Sequence, residues 1–317
     1  MAMMKALQWD GKVLRVNQVP RPRRNGDESL LRVLCAGVCN TDLEILRGYH
    51  NFHGTLGHEF VGVVEHSDDG SLIGQTVVCD INCACGQCAV CRSGNPHHCP
   101  NRVTLGINGK DGAFAEYINV PRRNLVPVPE SLPPRQAVFA EPVAAALEIM
   151  EQVVCRPGDE AAVIGDGKLG LLITMCLVDS GLDVTLIGHH PEKLSLLEGY
   201  PVHFSAGVPE RSFPLVVEAS GNSKGFYAAV SLTAARGTLV LKSTFAGGFE
   251  FNPAPLVVNE ITLLGSRCGP MAKAVALLDS GRIKPERLIE KTFTLADSAA
   301  ALEHAGCKGV LKVVIDC

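Results

Sequence analysis

Short apolar runs with strand character fill the first part of this chain. Met4 to Trp9 and Lys12 to Val16 read as a hairpin turning at Asp10-Gly11, and Ser29 to Cys35 alternates as a longer strand. Phe60 to Glu65 and Gln75 to Cys79 are two more strands, Gly112 to Val120 another, and Leu125 to Pro134 a proline-rich connection. One helical spacing interrupts them, from Cys39 to Leu46, and it opens at the cysteine. From about Ala144 the pattern changes. Ala161 to Ile164 is an apolar run of the kind buried in a parallel sheet, and an apolar helix through Val178 follows it. Asp183 to Ile187, Pro201 to Phe204, Leu215 to Ala219, Gly237 to Leu241 and Ile261 to Leu264 continue the sheet. Between the strands ending at Phe204 and beginning at Leu215 lie only Ser205 to Pro214, too few for the usual helical crossover of about a dozen residues or more, so a loop is expected there. An amphipathic helix, Ala272 to Leu278, and a closing strand, Gly309 to Ile315, end the pattern.

At 317 residues the chain exceeds what one core usually supports, and two domains are expected. A net charge of −4 offers no broad basic surface, which argues against nucleic acid as a partner. No apolar run reaches membrane-spanning length, and Met1 to Arg15 lacks a signal-peptide pattern, so a cytoplasmic protein without a membrane partner is expected. The 13 cysteines then read as reduced thiols, several of them on metal.

Four of these thiols, Cys85, Cys88, Cys91 and Cys99, are spaced C-x2-C-x2-C-x7-C among small and polar residues. That spacing suits a tetrahedral zinc with four protein ligands, closed to substrate and therefore structural. Cys39 and His58 offer a soft and a borderline ligand 19 positions apart, with Glu59 beside the second. A catalytic zinc needs a third protein ligand besides an open position. Elsewhere, Gly165-Asp166-Gly167-Lys168-Leu169-Gly170 follows a strand and opens a helix. This is a G-x-G-x-x-G turn, whose backbone amides hold a dinucleotide's pyrophosphate at the helix N-terminus. Asp166 puts a negative charge near that diphosphate, and it is expected to point to solvent or be offset by Lys168. The next strand ends in Gly188-His189-His190 where NAD-binding sheets carry an acid for the ribose hydroxyls. Without that acid, and with His189, His190 and Lys193 at hand, NADP is favoured over NAD. Ser220 to Asn222, Ser243 to Phe245 and Ser266-Arg267, just beyond strand ends, are where the cofactor is expected to run.

A cysteine heading a short helix, Gly57-His58-Glu59 before a strand, then a four-cysteine lobe and a dinucleotide turn together resemble the zinc-containing medium-chain alcohol and polyol dehydrogenases. The resemblance runs from Met4 to the end of the chain. It implies that Glu141, in Ala140-Glu141-Pro142, is the third ligand of a catalytic zinc or lies next to one, as in the polyol and sugar branch, with Glu59 ligating directly, by exchange or only from behind. It implies that Thr41 accepts the substrate proton and that Asp42 orients His58. Where classical members continue the proton path through a histidine, this chain has Glu44, so beyond Thr41 it departs from the family's relay. Taken singly, each residue has a duller reading: core cysteine, core histidine, helix-start acid.

The expectation is an α/β protein with two domains. Residues 1–143 and 267–317 form a GroES-like, mainly β catalytic domain with a structural zinc lobe at 83–100, and residues 144–266 form a doubly wound parallel-sheet Rossmann domain. Two zincs per chain, NADP (or NAD), a small-molecule alcohol or carbonyl substrate bound between the domains, and a dimer or tetramer complete it. The rivals are a zinc-independent quinone or enoyl reductase of the same superfamily, a homologue that binds cofactor without turnover, and a nucleic-acid module built on the cysteine lobe.

Overall fold

The computed structural model describes residues 2–243 and 248–317. Thr244 and Phe245, expected beside the cofactor, lie outside the described residues. The chain divides into two compact units, Met1–Glu141 with Val275–Cys317, and Pro142–Ala274.

The first unit begins with β1 (Met3–Trp9) and β2 (Leu14–Pro20), an antiparallel hairpin. Its turn is closed by the Asp10 carboxylate, which accepts the N–H groups of Lys12 and Val13, with Gly11 at φ +90°. Then come β3 (Glu28–Gly37), α1 (Asn40–Leu46), β4 (Gly54–Thr55), β5 (Glu59–His66) and β6 (Thr76–Cys79). The cysteine lobe carries β7 (Asn82–Cys83), α2 (Ala89–Arg92), β8 (Val103–Leu105) and β9 (Gly109–Lys110). After it run β10 (Tyr117–Pro121), β11 (Leu125–Pro127) and α3 (Pro134–Ala137).

The expected strand from Gly112 to Val120 is shorter. Only Tyr117–Pro121 pairs as a strand, with one isolated bridge from Ala115 to Ala6. Gly112 lies against the carbonyls of Leu56 and Gly57, and the amides of Ala113 and Phe114 bond to loop carbonyls instead of a ladder. The second unit starts within α4 (Ala140–Gln152). It continues with β12 (Glu160–Ile164), α5 (Lys168–Asp179), β13 (Asp183–Ile187), β14 (Val202–Ser205), β15 (Phe213–Glu218), α6 (Ser223–Leu232), β16 (Thr233–Leu241), α7 (Ala254–Val258) and β17 (Thr262–Gly265). From α8 (Met271–Asp279) the chain returns to the first unit through β18 (Ile289–Thr294), α9 (Ser298–Ala305) and β19 (Lys312–Asp316).

In the first unit β3 is central. It pairs antiparallel with β5 on one side and β19 on the other, in the order β11-β6-β5-β3-β19-β18, with β10 also on β3. Leu31, Val33, Cys35 and Ala36 of β3 are buried, and so are Val61 and Val64 of β5. The second unit holds one all-parallel sheet in the order β14-β13-β12-β15-β16-β17. Strand order reverses beside β12, which is the switch point where open sheets of this kind bind ligands beyond their carboxyl ends. No helix spans Ala206 to Ser212 between β14 and β15, as their spacing predicts. Between β13 and β14 the described turn is 3-10, Pro191–Leu197.

Helix α5 is apolar all round and buried from Gly170 to Leu177, which matches a helix packed on a sheet. It can start where it does because Gly170 has no side chain: a Cβ there would lie 1.8 Å from the Gly165 carbonyl oxygen. Gly170→Ala is therefore expected to cost roughly 2 kcal/mol or more of stability in urea unfolding. An unchanged midpoint would contradict the close approach.

Candidate functional site

Cysteine placement builds the lobe. Cys88 caps α2 with its sulfur accepting the Cys91 N–H, and the Cys99 sulfur accepts the Cys85 N–H at 3.5 Å. The four sulfurs lie 3.5 Å (Cys88 to Cys91), 3.8 Å (Cys88 to Cys99), 3.5 Å (Cys99 to Cys85) and 4.0 Å (Cys85 to Cys91) apart. A tetrahedron with zinc–sulfur bonds of about 2.3 Å has edges of about 3.8 Å, so the donor set fits that ion. Backbone N–H groups of Gln87 and Cys88 pull the Cys85 thiol down to about 6, toward the thiolate a metal needs. Beside the lobe, the Asp80 carboxylate takes the Asn82 N–H and the His97 ring, 2.6 Å away; burial pushes its pKa up, but these partners outweigh it and lower it.

The second cluster is made where α1 meets β5. Cys39 is the N-cap of α1, and Asp42 completes a capping box by accepting the Cys39 N–H at 2.9 Å. Ligand atoms of Cys39, His58 and Glu59 all lie within 4.8 Å of one another, with His58 and Glu59 buried. The other oxygen of the fully buried Asp42 faces His58 Nδ1 at 3.3 Å, out of line for a hydrogen bond. A carboxylate behind a ligating histidine is the usual way to fix its ring. Burial disfavours the imidazolium, but Asp42 and the Cys39 sulfur outweigh it and raise the His58 pKa well above its ordinary value. A metal ion bound there would compete with a proton for the same ring. One thiol, one imidazole and one carboxylate form a donor set suited to zinc. The Thr41 hydroxyl lies 3.7 Å from the Cys39 sulfur.

Two expected participants stand differently. Glu44 is buried and gives its carboxylate to Arg47 at 2.6 Å, one helical turn on. Glu141 occupies the first turn of α4, and its carboxylate is not one of the three converging ligands among the described residues. A participant that sequence reasoning missed is Lys312, whose buried ammonium bonds Glu59 Oε2. Burial pulls its pKa down to about 8, against the pull of Cys39 and Asp42. The signal was present: one lysine interrupts the apolar run Val310 to Ile315. Gly37 makes room, since a Cβ there would lie 2.6 Å from Lys312 Cε and 2.8 Å from Glu59 Oε2.

In the parallel-sheet unit the dinucleotide turn forms as expected. Gly165 has φ +112°, Gly167 caps α5, and Lys168 and Leu169 begin it. Asp166 departs from expectation: it turns inward, buried, and its Oδ2 accepts the N–H groups of His189 at 2.6 Å and His190 at 2.7 Å. Gly188 leaves the space for it, and Lys193 Nζ donates to the Asp166 carbonyl at 2.9 Å. At the ends of β15 and β16 the Ser243 hydroxyl accepts the Gly221 N–H at 2.9 Å, and Lys242 Nζ reaches Ser266 Oγ at 3.2 Å.

The alcohol dehydrogenase GroES-like domain matches residues 25–130. A glucose 1-dehydrogenase of Methanocella arvoryzae is 34% identical over 259 residues, 72% of each chain. The chain belongs to the zinc-containing medium-chain dehydrogenase/reductase family. In this family the fold is a GroES-like domain joined to a Rossmann sheet, and the chain is an NAD(P)-dependent dehydrogenase of the alcohol and polyol type. Among solved structures, L-idonate 5-dehydrogenase of Escherichia coli K-12 superposes with a TM-score of 0.91 at 27% identity, covering 100% of this chain and 99% of that one. A protein described as a zinc-binding dehydrogenase of Sinorhizobium meliloti 1021, bound to NADP, gives 0.89 at 27% identity with both chains fully covered. Among the described residues no helix is long and apolar enough to cross a membrane.

Lys312→Met is expected to strand the buried Glu59 carboxylate and cost about 3–5 kcal/mol in denaturant unfolding, with most of the loss recovered when Glu59→Gln is added. A loss below about 1 kcal/mol would mean that the pair is not buried as described.

Proposed function

We propose that this dehydrogenase interconverts a polyol or sugar hydroxyl and its carbonyl, with NADP as the preferred cofactor and two zincs per chain, one structural on Cys85, Cys88, Cys91 and Cys99 and one catalytic at Cys39 and His58. The convergence of Cys39, His58 and Glu59 at the head of α1, with the Thr41 hydroxyl beside them, carries this reading. Zinc held there supplies Lewis-acid polarisation of the substrate oxygen, and the nicotinamide supplies or accepts the hydride. The third protein ligand is a glutamate. Glu141 is the one the family resemblance favours, and Glu59, anchored on Lys312, backs the site or exchanges with it.

The chain's own residues divide the remaining work. Asp42 holds the head of α1 through the Cys39 N–H and stands behind the His58 ring, so both donors keep one orientation. Thr41 carries the substrate proton away at its Oγ1. Glu44, tied to Arg47, is the less suited onward acceptor. Gly165, Gly167, Lys168, Leu169 and Gly170 cradle the diphosphate, and Ser243 holds the strand-end loops where the cofactor runs. Gly188 brings no acid of its own, while His189, His190 and Lys193 offer nitrogen donors to a 2′-phosphate. The 13 cysteines, several of them spaced as metal ligands rather than as a disulfide framework, support a cytoplasmic chain, and the family resemblance supports a homodimer or tetramer.

The test is reduction of NADP and NAD against primary alcohols, secondary alcohols, polyols and aldoses, with metal counted on the same sample. Turnover of a polyol or sugar, faster with NADP and lost on chelation, is the expected result; absence of turnover across the panel would contradict the reading. Thr41→Val is expected to lower kcat about 100-fold or more with metal content unchanged, and Thr41→Ser to keep most of it. Cys88→Ser is expected to remove one zinc per chain and lower the thermal midpoint, and full metal content in that variant would refute the structural site.

A further inference from the structure

We propose that Asp166 is a specificity-determining residue that restrains the site's preference for a 2′-phosphorylated adenosine ribose. The proposal rests on the cofactor reading above. In sheets of this kind the ribose hydroxyls are read by an acid at the end of the second strand, which here is β13. That strand ends in Gly188, and a Cβ there would fall 2.4 Å from Asp166 Oδ2. The carboxylate of Asp166, sent across from the phosphate turn, occupies the place where such an acid would begin.

Its surroundings are built. Asp166 is 8% exposed. Oδ2 accepts the His189 and His190 N–H groups and lies 3.0 Å from His190 Nδ1, Oδ1 lies 3.1 Å from the same nitrogen, and Lys193 Nζ stands 3.8 Å from Oδ1. Burial pushes its pKa up, but His190, the two N–H groups and Lys193 outweigh it, so the group is an anion at neutral pH. Two of the three side chains that would meet a 2′-phosphate, His190 and Lys193, thus already face a negative charge. A phosphate arriving there must share them with a carboxylate that repels it. A ribose hydroxyl carries no charge and meets no such repulsion.

Asp166→Asn removes the charge while keeping an oxygen for the His189 and His190 N–H groups. Calorimetric titration of the full chain with adenosine 2′,5′-bisphosphate and with 5′-AMP reads the ribose end without turnover. The ratio of the two affinities is expected to shift toward the bisphosphate by about tenfold or more in the variant. A ratio unchanged within about twofold, including one in which both affinities fall together, would show that Asp166 only braces the β13 turn and would overturn the proposal. If neither nucleotide binds the unmodified chain, the cofactor reading itself fails and the proposal with it, a result distinct from an unchanged ratio.

Discussion

The ion pair between Lys312 and Glu59 crosses the strand on which the first unit is built. Gly37, the last residue of β3, pairs with Glu59 of β5 on one side and Val314 of β19 on the other. Because Gly37 carries no side chain, the lysine two residues before Val314 can lean over β3 and meet the glutamate. The contact therefore depends on the ladders of three strands, one of them near the end of the chain. It also fixes the carboxylate next to His58, so the last strand takes part in holding the corner where Cys39, His58 and Glu59 converge.

Charge accounting at that corner explains its composition. Asp42, Glu59 and the Cys39 sulfur are crowded into a volume where Asp42, His58 and Glu59 are almost wholly buried. Isolated burial of such groups is unfavourable, and a lone buried pair is seldom a net source of stability. Lys312 compensates one carboxylate, and a divalent cation held there would compensate the rest, with the sulfur and imidazole as its ligands. The cysteine lobe follows a simpler rule: four sulfurs are already spaced as the edges of one tetrahedron, on a segment with few apolar side chains, and a metal bound among them would supply their cohesion.

Local chemistry was the legible part. Asp10-Gly11 announced the first hairpin, the cysteine spacing announced the lobe, and a strand running into Gly165 to Gly170 announced the turn that caps α5. These features depend on neighbours in sequence. What escaped depends on distant ones: Lys312 meets Glu59 across 253 positions, and Asp166 meets His189 across 23. The bend of Asp166 away from solvent became readable only once Gly188 was seen to leave room for it. The strand expected from Gly112 shortened for a similar reason, because its amides go to the loop at Leu56 and Gly57, which periodicity cannot show.

The proposed reaction requires a metal centre at Cys39 and His58 distinct from the cysteine lobe. Zinc-edge X-ray absorption on the full chain, with metal counted on the same sample, tests it most directly. The prediction is two zincs per chain and an averaged shell of about two to three sulfurs at about 2.3 Å, the remainder nitrogen and oxygen at about 2.0–2.1 Å. One zinc per chain with four sulfurs would contradict it, leaving the lobe as the sole metal site.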